Sequence, residues 1–131
     1  MASQIFVNLP VADLQRSVGF FTALGFSFNP QWTDDSATCM IIDDNIFVML
    51  LTRERFQSFT PKPVADATKS TEVLVCLSRA SRAAVDETVS RAVANGGSTW
   101  KPAEDHGFMY GHAFQDPDGH IWELIHMTQA A

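Results

Sequence analysis

A glutamate near the end of the chain is the residue best placed to do chemistry. The segment 116–119, Asp-Pro-Asp-Gly, is typical of a tight chain reversal, because Pro117 fixes its own φ and Gly119 can adopt a positive φ. Apolar-rich runs lie on both sides, so we predict a β-hairpin. Alternation along its second strand puts Glu123 on a face that is otherwise apolar. Since a buried, unpaired carboxylate costs free energy, Glu123 lies either at the wet rim of a sheet or inside a polar site.

The stretch from Trp100 to Tyr110 is a second candidate. Around Gly107 it gathers aromatic rings and titratable groups, and in a loop such residues supply stacking area and proton-transfer groups. The same residues are also typical of ordinary core packing, and the sequence leaves both alternatives open. The side chains concerned are Trp100, His106, Phe108, Met109 and Tyr110.

Other polar residues carry weaker signals. Asn8, on the first predicted strand, can offer its amide to a ligand or satisfy a backbone group. No glycine-rich phosphate loop and no GxSxG segment occurs, so neither phosphate cradling nor serine hydrolysis is predicted. The remaining histidines do not share a strand face and are interpreted as structural: His112, His120 and His126.

The composition is that of one acidic globular domain. The 131 residues are 46% hydrophobic, which is enough to fill the core of a single domain. A formal net charge of -6 without a Lys/Arg cluster argues against nucleic acid and anionic membrane surfaces as partners. Cys39 and Cys76 lack CxxC spacing, so we expect reduced core cysteines. No secretory signal or membrane span is recognisable, and we expect a cytoplasmic protein.

The order of the predicted elements repeats. The first half reads β-α-β-β-β, with a helix that Asp13 caps and Gly25 stops. The second half repeats this order, with Ser81 as the helix cap and Asn95-Gly96-Gly97 at the helix end. The predicted strands span residues 4–11, 26–31, 37–42 and 45–52, and then 71–78, 98–101, 108–115 and 120–127. The apolar helix stripes are Leu14, Val18, Phe21 and Leu24, and Val85, Val89, Ala92 and Val93.

Residues 53–70 differ in character from both halves. They contain two prolines, two lysines and several hydroxyl side chains, and we interpret them as a short helix followed by a linker. We therefore predict one α+β domain over residues 1–131, with module one at about 4–52, the linker at about 53–70 and module two at about 71–127.

Two stretches of this chain resemble one superfamily. The run from Phe114 to Leu124, Phe-x-Asp-Pro-Asp-Gly-x-x-x-Glu-Leu, is similar to the end of vicinal oxygen chelate proteins, which include glyoxalases, bleomycin-resistance proteins and extradiol dioxygenases. The run from Val11 to Phe26 resembles their opening, Val-x-Asp-Leu-x-x-Ser-x-x-Phe-Tyr-x-x-Leu-Gly-Phe. The resemblance implies two β-α-β-β-β modules that form a curved mixed sheet with helices on its outer face. It also implies a homodimer.

The resemblance implies where metal ligands would fall. In this superfamily they come from the first and last strand of each module, and the corresponding positions here are Phe6, Met49, Glu72 and Glu123. Phe6 cannot ligate a cation, and the Met49 thioether is a poor ligand for hard or borderline ions. Glu72 and Glu123 can still hold a divalent ion together with waters. We therefore expect either no metal or a weakly bound divalent ion in an incomplete site.

Two functions remain open. The first is a small-molecule binding protein of the bleomycin-resistance kind, with an aromatic and acidic cavity. Its ligand-binding residues would be Phe6, Asn8, Met49, Trp100, His106, Phe108 and Tyr110. The alternative is a glyoxalase-like lyase or isomerase, or a dioxygenase, in which a divalent ion polarises substrate oxygens and Glu72 and Glu123 are catalytic. Phe6 and Met49 favour the first function, for which two carboxylates predict a cationic or amine-bearing aromatic ligand.

Overall fold

Each half of the chain forms its own four-stranded mixed sheet. The computed structural model describes residues 3–129. The chain divides into two units between Ala65 and Asp66, and each unit contains one β-α-β-β-β module. The predicted α+β fold with a repeated module is confirmed.

Module one has the sheet order β1-β4-β3-β2. Strands β1 and β4 run parallel, whereas β4, β3 and β2 follow one another as antiparallel neighbours. The predicted short helix after the last strand is present as α2. The elements are β1 (Ile5–Val11), α1 (Leu14–Ala23), β2 (Ser27–Asn29), a 3-10 turn (Pro30–Trp32), β3 (Ala37–Asp43), β4 (Ile46–Thr52) and α2 (Arg53–Gln57).

Helix α1 begins and ends where the sequence predicts. The Asp13 carboxylate accepts a hydrogen bond from the Arg16 amide at 3.1 Å, and Gly25 has a φ of 103° directly after the helix. Val18 lies at the flank of the apolar face and is only partly buried. The buried residues of this face are Leu14, Ser17, Phe20, Phe21 and Leu24. The predicted stripe is therefore correct except at Val18, which lies on the opposite side of the face from Phe20.

The second strand of module one is shorter than predicted. Pro30 has no amide proton to continue the strand ladder, and it begins the 3-10 turn instead. The Asn29 side chain caps this turn by accepting a hydrogen bond from the Gln31 amide at 3.0 Å. The strand therefore ends at Asn29 rather than at Gln31.

Module two has the equivalent sheet order, β5-β8-β7-β6. Its first and last strands are again parallel neighbours, and the other pairs are antiparallel. Helix α3 packs against β7 and β8. The elements are β5 (Leu74–Ser78), α3 (Arg82–Ala94), β6 (Glu104–Asp105), β7 (Met109–Gln115) and β8 (Ile121–Met127).

Two predictions for module two were wrong in their boundaries. Residues 98–101 do not form a strand, and only Ser98 pairs there, in a single bridge to Gln115. Pro102 interrupts this segment because it lacks an amide proton, and pairing resumes in the two-residue strand β6. The strand predicted to begin at residue 71 begins at Leu74. In α3 the stripe continues through Ala92, while Val93 is exposed.

The predicted hairpin between β7 and β8 is confirmed and is fixed by Asp116. This carboxylate is buried and accepts hydrogen bonds from the amides of Asp118 and His120, at 2.9 and 3.0 Å, and from the Trp122 indole at 3.0 Å. Burial raises the pKa of Asp116 above its ordinary value. Gly119 has a φ of 88°, and a Cβ atom there would lie 2.7 Å from the Ala67 carbonyl oxygen. Only glycine fits this turn without strain.

Neither unit contains a candidate membrane helix. Over residues 3–129, every helix is too short or too polar to cross a bilayer.

Candidate functional site

Glu123 lies on the open face of the second sheet. Its strand neighbours Trp122 and Leu124 are buried on the opposite face, as the predicted alternation requires. Across the sheet Glu123 pairs with Cys76 on β5 and with Ala113 on β7. Its carboxylate makes no hydrogen bond or ion pair with any residue from 3 to 129. It is thus a partly buried acceptor without a protein donor.

A cavity of about 170 Å³ lies above this carboxylate. Strands β7 and β8 supply an apolar floor, and β6 with its flanking residues supplies a charged rim. The lining residues are Lys101, Glu104, His106, Met109, Gly111, His112, Ala113, Glu123, Leu124 and Ile125. All of these residues belong to module two.

The rim carries an ion-paired carboxylate. The Lys101 Nζ atom lies 2.6 Å from Oε1 of Glu104, and Nε2 of His106 lies 3.4 Å from its Oε2. The hydrogen bond and positive charge of Lys101 lower the pKa of Glu104. Glu104 raises the pKa of Lys101 in return, with a smaller contribution from the charge of Glu123. The negative charge of Glu104 is therefore compensated by Lys101, with His106 nearby. The negative charge of Glu123 has only the longer-range attraction to Lys101.

The two-residue strand β6 is held from the opposite side by α3. The Arg82 guanidinium makes two hydrogen bonds to Asp105, at 2.6 and 3.1 Å, and stacks over the Tyr110 ring at 5.1 Å from its centroid. Asp105 also accepts a hydrogen bond from the Gly107 amide at 2.9 Å. Hydrogen bonding to Arg82 lowers the pKa of Asp105. Because successive residues of a strand point to opposite faces, a fixed Asp105 leaves Glu104 facing the cavity.

The aromatic residues predicted around this site lie elsewhere, except for His106. Tyr110 points toward α3, where its hydroxyl donates a hydrogen bond to Asp86. Trp100 and Phe108 are exposed, and neither lines the cavity. The described lining of the cavity in module two therefore consists of aliphatic and charged groups and two histidines, without Phe, Tyr or Trp.

Glu72 also lies outside the cavity. It is exposed, in a bend two residues before β5, and Cys76 is the β5 residue that pairs with Glu123. Four residues of extended chain span roughly 13 Å, so the strand register separates the two glutamates. Cys39 is buried as expected, but Cys76 is exposed, so the expectation of a core cysteine is wrong there. Partial desolvation and the charge of Glu123 raise the pKa of the Cys76 thiol. The predicted pairing of Glu72 with Glu123 assumed a strand that begins at residue 71, whereas β5 begins at Leu74.

The candidate residues of module one share one face of the first sheet. Phe6 stacks on Phe47, with ring centroids 4.9 Å apart and an interplanar angle of 15°. Asn8 pairs in register with Met49, and its side-chain amide donates to the Phe6 carbonyl at 3.4 Å. This face therefore presents apolar groups and an amide that is already engaged with the backbone.

The comparisons with known proteins agree with this topology. Residues 4–42 match the family described as bleomycin resistance protein-like N-terminal. A glyoxalase-related enzyme from Fulvimarina pelagi superposes with a TM-score of 0.79 over 100% of both chains, at 20% identity. The chain therefore has the fold of these glyoxalase and bleomycin resistance proteins.

Other structures extend this likeness. A hypothetical protein from S. aureus is 28% identical, with a TM-score of 0.80 over 95% of this chain and 94% of the other. The fosfomycin resistance protein FosX from Listeria monocytogenes is 19% identical, with a TM-score of 0.70 over 98% and 95% of the two chains. The search of curated proteins found no match.

The residues present do not fit the four-ligand metal centre that the vicinal oxygen chelate resemblance implies. Phe6 offers no donor atom, Met49 offers only a thioether, and Glu72 lies before its strand. Within the described part of the chain, no group of three or more His, Cys, Asp or Glu side chains is arranged to hold a metal ion.

Sequence reasoning did not identify Lys101 and Glu104 as site residues. Their spacing of three positions and the alternation of Glu104 and His106 about Asp105 were available signals. A two-residue strand is too short to show a hydrophobic period, so hydrophobicity did not mark its cavity face.

Proposed function

We propose that this protein binds a small organic molecule in the cavity of module two, where Glu123 accepts a hydrogen bond from it. The observation that carries the proposal is the contrast between two carboxylates in one cavity. Glu104 is paired with Lys101 and lies near His106, whereas Glu123 has no hydrogen-bond donor among residues 3–129. A partly buried carboxylate without a partner costs free energy, and a ligand donor would recover that cost.

The family match supports a binding role. The first strand, α1, β2 and nearly all of β3 lie within the region that matches the bleomycin resistance protein-like family. The apolar face around Phe6 and Met49 in module one also lacks the donors that a metal-dependent enzyme would use. Binding without a resident metal is thus the function that both modules favour.

A metal-dependent glyoxalase-like activity is the second candidate, and one observation favours it. Glu104, His106 and Glu123 line the same cavity and bear oxygen and nitrogen donors. Against it, Glu104 is already bonded to Lys101 at 2.6 Å, so an ion would have to displace an ammonium group. We therefore rank this candidate below metal-free binding.

The proposal is tested by a ligand screen on the wild-type chain and on two glutamate variants. Compounds that shift amide resonances of Gly111 or Ala113 are titrated into Glu123→Gln and Glu72→Gln. We expect Glu123→Gln to weaken those compounds by about tenfold, which corresponds to about 1.4 kcal/mol. Glu72→Gln is the matched control because its side chain is exposed outside the cavity. Equal affinity in all three proteins would reject the proposal.

Calorimetric titration with Mg²⁺, Mn²⁺, Ni²⁺ and Zn²⁺ separates the two candidate functions. We expect no saturable heat at stoichiometric concentrations. A single tight ion that is lost in Glu123→Gln but retained in Glu72→Gln would favour the enzyme instead.

We also infer, from the superfamily resemblance, a cytoplasmic homodimer. Sedimentation equilibrium should give twice the chain mass of 14.5 kDa. A monomer mass at micromolar concentration would contradict this inference without affecting the cavity in module two.

A further inference from the structure

We propose that the ligand is a small aliphatic compound with a single positive charge, such as a primary alkylammonium ion. This inference rests on the proposed function, because it assigns a chemical class to the molecule that Glu123 binds. Three properties of the cavity carry it: its charge, its lining and its size.

The charge of the cavity calls for one cation. Lys101 and Glu104 neutralise each other at 2.6 Å, which leaves the carboxylate of Glu123 as the uncompensated charge among the described lining residues. A monocation balances that charge. A dication would leave a positive charge close to Lys101, and an anion would meet Glu123 itself. A neutral alcohol could donate a hydrogen bond but would leave the carboxylate charge unpaired.

The lining favours an alkyl chain over an aromatic ring. The apolar groups beside Glu123 come from Met109, Ala113 and Ile125, and no Phe, Tyr or Trp occurs among the described lining residues. An aromatic ligand would find imidazole but no benzene or indole ring among the described lining residues, whereas flexible aliphatic groups pack against a thioether and a branched side chain.

The size favours a ligand of a few heavy atoms. A volume of about 170 Å³ is below the roughly 300–1,000 Å³ of pockets that hold drug-sized ligands. At about 30 Å³ for each water-sized group, there is room for about six such groups. Butylammonium matches this limit.

Gly111 provides a way to change the size alone. A Cβ atom at this position would lie 3.4 Å from Cγ2 of Ile125 and 3.5 Å from the Leu124 carbonyl oxygen. These are ordinary contacts, and Gly111 does not have a positive φ, so alanine fits without strain. Its methyl group would occupy space in the cavity. Gly19→Ala is the matched control because nothing lies within 4 Å of the added Cβ there.

The experiment is an amide-resonance titration of the full chain with butylammonium and four relatives. The relatives are butanol, butyrate, butane-1,4-diammonium and benzylammonium. We expect butylammonium to bind at least about tenfold more tightly than butanol or butyrate, and no more weakly than the dication or the aromatic amine. Gly111→Ala should weaken butylammonium several-fold, while Gly19→Ala should leave its affinity unchanged.

The outcomes separate this inference from the function on which it rests. If the dication or benzylammonium binds more tightly and still requires Glu123, the ligand class is wrong while the binding function stands. If Glu123→Gln leaves every affinity unchanged, the proposed function fails and the ligand class fails with it. If butylammonium gives no saturable shift at millimolar concentration, the ligand class is overturned.

Discussion

The two modules share a strand order but differ at a partly buried position in the middle of their last strand. In module one that position is Met49, paired with Asn8, and in module two it is Glu123, paired with Cys76. Both residues alternate with buried neighbours, so the sheet places them equivalently. The fold of the module therefore fixes the direction in which this side chain points. The residue type decides whether the position carries a reactive carboxylate or an apolar group.

The edge strand next to the central hairpin, β2 in module one and β6 in module two, differs as well. Module one has a three-residue strand, β2, followed by a 3-10 turn, whereas β6 of module two has two residues and depends on the pairing of Arg82 with Asp105. A short strand with side-chain support brings a charged rim over the sheet. The acidic cavity of module two therefore depends on a contact from its helix that has no described counterpart in module one.

The largest effect should come from removing the buried indole of module two. Trp122→Ala should lower the free energy of unfolding of that module by about 3–5 kcal/mol, because the side chain is fully buried and donates to Asp116. The measurement is urea denaturation followed by the fluorescence of Trp100. Leu24→Ala, expected to cost about 2–5 kcal/mol, is the counterpart in module one and is followed by Trp32. Unchanged midpoints would contradict the helix and hairpin packing described above.

Exchanging the distinguishing residue should have a smaller effect on stability. Met49→Glu puts a carboxylate beside the Phe6–Phe47 stack without a lysine to pair with, and it should cost about 1–3 kcal/mol. Denaturation followed by Trp32 measures this change, and Met49→Gln is the control that keeps the size without the charge. A variant as stable as the wild type would show that the open face of module one is already solvated.

Loosening β6 should affect binding more than folding. Arg82→Gln removes the charged contact to Asp105, so the rim should become mobile and the affinity for the module-two ligand should fall several-fold. The Gly107 amide donates a hydrogen bond to Asp105, so faster hydrogen exchange at this amide would report the mobility directly. Arg82→Lys should restore part of the affinity. If neither affinity nor exchange changes, pairing with β7 alone positions the rim.

Acidification should have the smallest effect, and in module two it should act on the pair of Lys101 and Glu104. A carboxyl group whose pKa is lowered by folding contributes stability that is fully present above its ordinary pKa, which is 4.5 for Glu104. That contribution is lost as the pH falls through the lowered value, because protonation breaks the pair with Lys101. Resonances of Lys101 should therefore shift below pH 4.5 in the wild type and remain constant in Glu104→Gln.

Local signals predicted most of the fold. The caps Asp13 and Ser81 and the turn at 116–119 each act within a few residues, and the structure confirms all three. Two-fold alternation likewise placed Glu123 on the less buried face of its strand. Such features are readable because the hydrogen bonds that define them close over short stretches of chain.

The rest of the candidate site depends on contacts distant in sequence. Which residue lies beside Glu123 is set by the parallel register of β5 and β8, which pairs Cys76 with Glu123. Hydrophobic alternation is the same two or four residues away, so the local pattern does not distinguish Cys76 from Glu72. Arg82 and Asp105 are 23 positions apart, so their ion pair produces no periodic pattern in the sequence. Register and tertiary ion pairs were therefore beyond the reach of local pattern.

The side-by-side placement of the first and last strands in each module also bears on how the chain is made. Strand β1 finds its parallel neighbour β4 within module one, so that sheet is complete once Thr52 has been synthesised. Translation at about 5–20 residues per second leaves several seconds before the last strand of module two emerges. We expect module one to fold first on the ribosome, so that module two folds later in the presence of an already ordered unit.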